Sequence, residues 1–275
     1  MMQKIIVTVL VLFLIAGGLA MALLDGSRVG EAAAGTAIQE QILASTIQIE
    51  MYGAGRKQAG ATYLRGTAGL GTLVQYGGQR FIVTHNHWSL LAAAELKSVE
   101  LYSAAGERLL VLDATAFHAL VRYQDGGTML LAAPQPLPGV TPAAVGDGAA
   151  LLVGDRVWLA TYEVSGGLDV AVTTAQVERV DAASVPGQLQ LRGPAAAVAP
   201  GDSGGGVWHD GKLVGNLWAI AVEPTSWPGS LWFGERRPTG AILAGMQPLS
   251  GAAGVFPGDL APAADVGYER GPQRY

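Results

Sequence analysis

The sequence predicts an all-β protein built as two antiparallel β-barrels. Three observations carry this. Short β-rich runs recur along the chain with Gly, Asn or Asp turn signals between them. Glycine is abundant, with 39 residues in 275, as many tight turns require. And a stretch with prolines at 134, 136, 138 and 142 cannot be a central strand, so it divides the β-rich part into two halves.

The elements follow in order. Residues 36–43 read as a short helix, with Ala37, Glu40 and Leu43 at helical spacing. Ser45–Tyr52 alternates Ile47, Ile49 and Met51 against Thr46, Gln48 and Glu50, the pattern of a half-buried strand. Residues 54–65 are glycine-rich and basic, a loop. Leu70–Tyr76 and Gln79–Thr84 flank Gly77-Gly78, a strong hairpin signal. Ser98–Tyr102, Arg108–Leu112, Phe117–Arg122 and Thr128–Ala132 read as further strands of the first half. Ala149–Val153, Arg156–Thr161, Leu168–Val180, Gln188–Leu191, Gly206–His209, Leu213–Val222 and Ser230–Phe233 do so in the second. His209-Asp210-Gly211-Lys212 is a hairpin turn. Pro238–Met246 is a last helical turn or strand. The domain expectation is 46–140 for the first barrel, 141–250 for the second and 251–275 for a flexible tail. No separate peptide-binding domain is expected after the second barrel.

The composition is 50% hydrophobic and 14% charged, which is that of a core-forming chain. A net charge of −5 gives no footprint for nucleic acid. There is no cysteine, so neither disulfides nor thiolate metal sites are available. At the N-terminus, Lys4 precedes an apolar run from Ile5 to Leu24 that contains Ala20-Met21-Ala22. This reads as a signal peptide cut after Ala22, or as an uncleaved anchor of residues 5–24. Either reading puts the remainder outside the cytoplasm, with residues 23–45 a linker or pro-segment. Contact with a membrane is expected only through the anchor.

The chemistry centres on Gly201-Asp202-Ser203-Gly204-Gly205. Glycines allow a turn that exposes a hydroxyl and aims amide N–H groups at one point. A serine needs a base, and the chain has only four histidines. His209 sits in a turn, and His118 in an alternating strand with no polar landing site. His85 and His87 stand where a strand leaves the core, a place from which scaffolds present functional side chains. His85 and His87 as a metal pair lack the third and fourth ligands that zinc requires.

The blocks Phe81-Ile82-Val83-Thr84-His85-Asn86-His87 and Gly201-Asp202-Ser203-Gly204-Gly205 resemble the two signature blocks of the trypsin-like (chymotrypsin-fold) serine proteases. Gly69-Leu70-Gly71-Thr72-Leu73-Val74 is similar to that family's strand before the histidine. The resemblance covers roughly residues 45–245. It implies two six-stranded-type barrels and a Ser-His-Asp triad with Ser203 as nucleophile and His87 as base. The acid is Asp125 or Asp113. Asp125 precedes Gly126-Gly127 and an apolar strand, where the family passes directly into the strand. The amides of Gly201 and Ser203 would form the oxyanion hole. Asp202 would tie the serine loop to local backbone N–H groups. Ala197 would lie at the base of the specificity pocket and Trp218, Ala219 and Ile220 along its wall, giving a shallow, uncharged pocket for small or medium apolar residues.

The function expected is therefore an exported serine endopeptidase. It would act as a monomer on protein or peptide substrates, without cofactor or metal. A catalytically impaired homologue serving as a binding or scaffold module is the alternative.

Overall fold

A computed structural model describes residues 35–53, 57–58, 61–62, 65–88, 95–125, 127–134, 136–163, 169–181, 188–193, 198, 201–222 and 242–248. The leader, the C-terminal tail and the expected strand at 230–233 lie outside these. Residues 35–45 are helical (α1). At its end the Ser45 hydroxyl donates to the Gln41 carbonyl (3.1 Å) and the Thr46 hydroxyl to that of Ile42 (2.8 Å), satisfying last-turn carbonyls.

The first half is a seven-stranded antiparallel sheet. Its strands are β1 (Thr46–Gly53), β4 (Arg65–Tyr76), β5 (Gln79–His85), β6 (Leu96–Ser103), β7 (Arg108–Asp113), β8 (Val121–Asp125) and β9 (Thr128–Ala132). They run in the order β7-β6-β1-β4-β5-β9-β8. Between β1 and β4, the short strands β2 (Lys57–Gln58) and β3 (Ala61–Thr62) pair within the expected loop. The Gly77-Gly78 hairpin forms as expected, with Tyr76 opposite Gln79 and both glycines at positive φ (57° and 78°), the two-residue turn that suits strand twist.

Three of the expected elements are corrected. β1 is buried on both faces, with only Tyr52 partly exposed, while β4 and β6 pair with its two edges. Ile47, Ile49 and Met51 enter the core, while Gln48 on the other face donates to the carbonyls of Ser103 (3.1 Å) and Ala104 (3.2 Å). The second correction concerns Phe117–Arg122. Residues Ala114–Leu120 form a helix, α2, and β8 begins only at Val121. The Asp113 carboxylate caps α2 by accepting from the Ala116 amide at 2.8 Å. Phe117 and Leu120, three apart, then face the same core, so a helix buries the apolar pair that alternation assigned to a strand. With this helix between its last strands, the first half is a seven-stranded sheet with β7 and β8 at its edges rather than a six-stranded barrel. His118 accordingly sits on α2, its ring edge-on to Phe117.

The third correction is Ala149–Val153. Gly148–Ala150 is a 3₁₀ turn capped by Asp147, whose carboxylate accepts from the Ala149 amide at 3.0 Å. Leu152 and Val153 project into solvent.

The second half is a closed six-stranded barrel, β10-β11-β12-β15-β14-β13. Its strands are β10 (Arg156–Tyr162), β11 (Val170–Asp181), β12 (Gln188–Gly193), β13 (Gly206–His209), β14 (Lys212–Val222) and β15 (Ile242–Pro248). Val157, Leu159, Val177, Leu189, Leu191, Val207 and Leu217 fill it. Asp210 and Gly211 make the β13–β14 turn at positive φ (49° and 70°). The proline-bearing connection is laced to both halves. The Ala143 amide donates to the Leu73 carbonyl (2.8 Å), and the Gly146 amide to that of Leu213 (2.7 Å).

Asp113→Ala removes the α2 cap. We expect it to lower stability by about 1 kcal/mol, read as a shift of the urea midpoint at unchanged slope.

Candidate active site

The serine loop leaves β12 and enters β13. Gly201 (φ 107°) and Gly204 (φ 85°) hold backbone conformations that side chains disfavour. At Gly204 a Cβ would also run into the Leu70 carbonyl oxygen and come within 2.5 Å of the Thr84 hydroxyl. Four backbone hydrogen bonds hold the loop: one from β4, two with β14 and one within the loop itself. The Leu70 amide donates to the Ser203 carbonyl (2.9 Å). The Gly204 amide donates to the Leu217 carbonyl (2.7 Å). The Leu217 amide returns a bond to Gly205 (2.8 Å), and the Gly205 amide donates to Asp202 (2.9 Å).

Asp202 is 1% exposed, and its carboxylate accepts from the Tyr162 amide at 2.7 Å. The tie to a backbone N–H that the sequence suggested is therefore present, but to a residue 40 positions away on β10. The Tyr162 hydroxyl in turn donates to the Gly69 carbonyl on β4 (3.0 Å). Burial, then the charges of Glu50 and Asp202, push this phenol above its usual range, so it remains a donor.

The histidine block ends β5. The Thr84 hydroxyl donates to the Leu70 carbonyl (2.6 Å), fixing the strand end beside the residue whose amide holds Ser203. The chain leaves the sheet after His85, and His87 Nε2 lies 3.1 Å from Ser203 Oγ. Burial lowers the His87 pKa from its usual value, which favours the neutral imidazole a base must be. His85 points inward. Its ring stacks on Trp88 (centroids 3.9 Å apart) and lies 4.2 Å from the His87 ring. Burial, then the neighbouring His87 charge, push it down to about 3. Among the described residues neither of its ring nitrogens has a hydrogen-bond partner.

The two aspartates separate. Asp113 caps α2 from β7, four places from β5 in the sheet order, and is not brought to His87. Asp125 ends β8, next to the histidine strand's neighbour. Thr128 of β9 pairs with Asp125 on one side and with His85 on the other, so one row of the sheet contains all three. The Asp125 side chain lies outside the described residues. So do Ala197 and the side chains of Trp218, Ala219 and Ile220, whose backbone follows β14 through a register shift between Leu217 and Ala219.

Two polar residues escaped the sequence reading, Tyr162 above and Asn216. Asn216 is fully buried on β14. Its Oδ1 accepts from the Thr128 hydroxyl (2.7 Å), and its Nδ2 donates to the Gly127 carbonyl (3.2 Å). The available signal was an asparagine inside the apolar run Leu213–Val222, since a buried amide requires partners.

The fold is similar to that of the HtrA-type proteases. Two solved structures share it: HtrA-type protease AlgWS227A with decapeptide, at 14% identity and TM-score 0.51, and HtrA-type protease AlgW with decapeptide, at 13% and 0.50. The matches cover 77% and 76% of this chain. The chain spans 62% of the length of each of those chains. No family model matches the sequence, and no curated protein does. Among the described residues no three His, Cys, Asp or Glu side chains gather as a metal site would require.

His85 makes acid sensitivity measurable. Its folded-state pKa of about 3 lies below the usual 6.5, so between these pH values the unfolded chain binds the extra proton. Stability then falls as pH drops from 6.5 toward 3, at up to about 1.4 kcal/mol per pH unit. His85→Ala is expected to flatten this slope in urea melts between pH 6.5 and 4.5.

Proposed function

We propose that the protein is an exported serine endopeptidase of the trypsin-like type, cleaving peptide bonds through an acyl-enzyme. The carrying observation is the 3.1 Å approach of His87 Nε2 to Ser203 Oγ on a glycine-bounded loop. Ser203 Oγ attacks the scissile carbonyl while His87 takes its proton. His87 then gives that proton to the leaving amine. Water repeats the sequence on the ester and releases the acid product. Asp125 orients the imidazole and stabilises its cation, and the amides of Gly201 and Ser203 receive the oxyanion.

The fold neighbours are proteases described with a decapeptide, which supports a peptide substrate here. Ala197, Trp218, Ala219 and Ile220 carry no charge, which supports a preference for small or medium uncharged residues before the cleaved bond. The apolar leader at residues 5–24 supports export, with release after Ala22 or retention by the anchor.

A fluorophosphonate probe tests the reading. The parent protein is expected to label, and Ser203→Ala and His87→Ala are not; labelling that survives Ser203→Ala sinks it. Asp125→Asn should slow labelling by about 10⁴-fold, as loss of the orienting acid does in such triads, whereas Asp113→Ala should label at the parent rate. A peptide library should show cleavage after Ala, Val or similar residues, and a profile dominated by Arg or Lys defeats the pocket assignment.

A further inference from the structure

We propose that Asn216 is a positioning residue: from the strand that holds the serine loop, its side chain fixes the turn that follows Asp125. The proposal rests on the triad reading above.

The geometry is a double clamp. The turn between Asp125 and Thr128 is closed by the pairing of those two residues. The Asn216 amide grips it at two consecutive residues, donating to the Gly127 carbonyl and accepting from the Thr128 hydroxyl. Both gripped residues and Asn216 itself are buried, so water does not compete for these bonds and a lost partner leaves a buried polar atom unsatisfied. The next residue, Leu217, exchanges backbone hydrogen bonds with Gly204 and Gly205. One dipeptide of β14 thus addresses two arms of the site, the aspartate turn through the Asn216 side chain and the serine loop through the Leu217 backbone. The third arm joins through Thr128, which pairs with His85 two residues before His87.

This clamp answers the departure noted in the sequence. The glycines at 126 and 127 separate Asp125 from its apolar strand, and glycine carries the most backbone freedom. A turn of that kind needs an external restraint if the carboxylate is to hold one position. Asn216 supplies it from the second barrel.

The test is the kinetics of fluorophosphonate labelling, resolved into the maximal rate and the half-saturating probe concentration, with the folded fraction measured by circular dichroism. Asn216→Ala and Thr128→Val should each slow the maximal rate by about 100-fold, the penalty of a misplacement near 1 Å, at unchanged half-saturation and full folding. Thr128→Ser, which keeps the hydroxyl, should label within about twofold of the parent, the level of an undisturbed hydrogen bond. Thr128→Val leaves the Gly127 bond in place and serves if Asn216→Ala does not fold. A maximal rate unchanged in the folded variants, or one that falls only in step with the folded fraction, overturns the positioning role alone. An unlabelled parent overturns the triad reading, and the role with it.

Discussion

The hydrogen bond from the Leu70 amide to the Ser203 carbonyl ties the nucleophile candidate's own backbone to the first sheet. Ser203 belongs to the second barrel and His87 to the end of a strand in the first half. Neither half can fix their separation by itself. The Leu70 bond does so from one side of the peptide unit, while the Leu70 carbonyl takes the Thr84 hydroxyl from the histidine strand. A single residue of β4 therefore receives both blocks. The lack of space at Gly204 is the steric counterpart, because the loop sits so close to β4 that a methyl group has no place there.

Around that contact the polar interior is arranged as a relay between strands. Asp202 is held by Tyr162, Tyr162 by Gly69, and the aspartate turn by Asn216. Each link joins residues 40 to 93 positions apart. Buried hydrogen bonds of this kind add modest net stability, but they are costly to leave half made. Two of them, Tyr162 to Gly69 and Asn216 to Gly127, cross between the halves and favour one arrangement over others that would bury equal apolar area.

The sequence made the local signals plain and the distant ones obscure. The Gly-Gly and Asp-Gly hairpins were readable because turn chemistry acts over four residues. The serine and histidine blocks were readable as strings. Phe117–Arg122 misled because Phe117, Ala119 and Val121 alternate over so short a run while Phe117 and Leu120 also sit at helical spacing, and the decisive residue was Asp113, four positions before it. Ala149–Val153 misled because an apolar run implied burial that Leu152 and Val153 do not have. Asn216 and Tyr162 were invisible as site residues since their partners lie on other strands, and pairing of that range is set by the tertiary fold. Asp125 was readable as a candidate, and the register adds only that its backbone shares a row with His85.

The Asp202 carboxylate accepts from an amide of β10, a strand of the same closed barrel. The serine turn is thereby tied to a strand 40 positions earlier in the chain. The residue next to Ser203 is thus anchored by the barrel wall itself, and a distortion of β10 reaches the serine turn through one hydrogen bond.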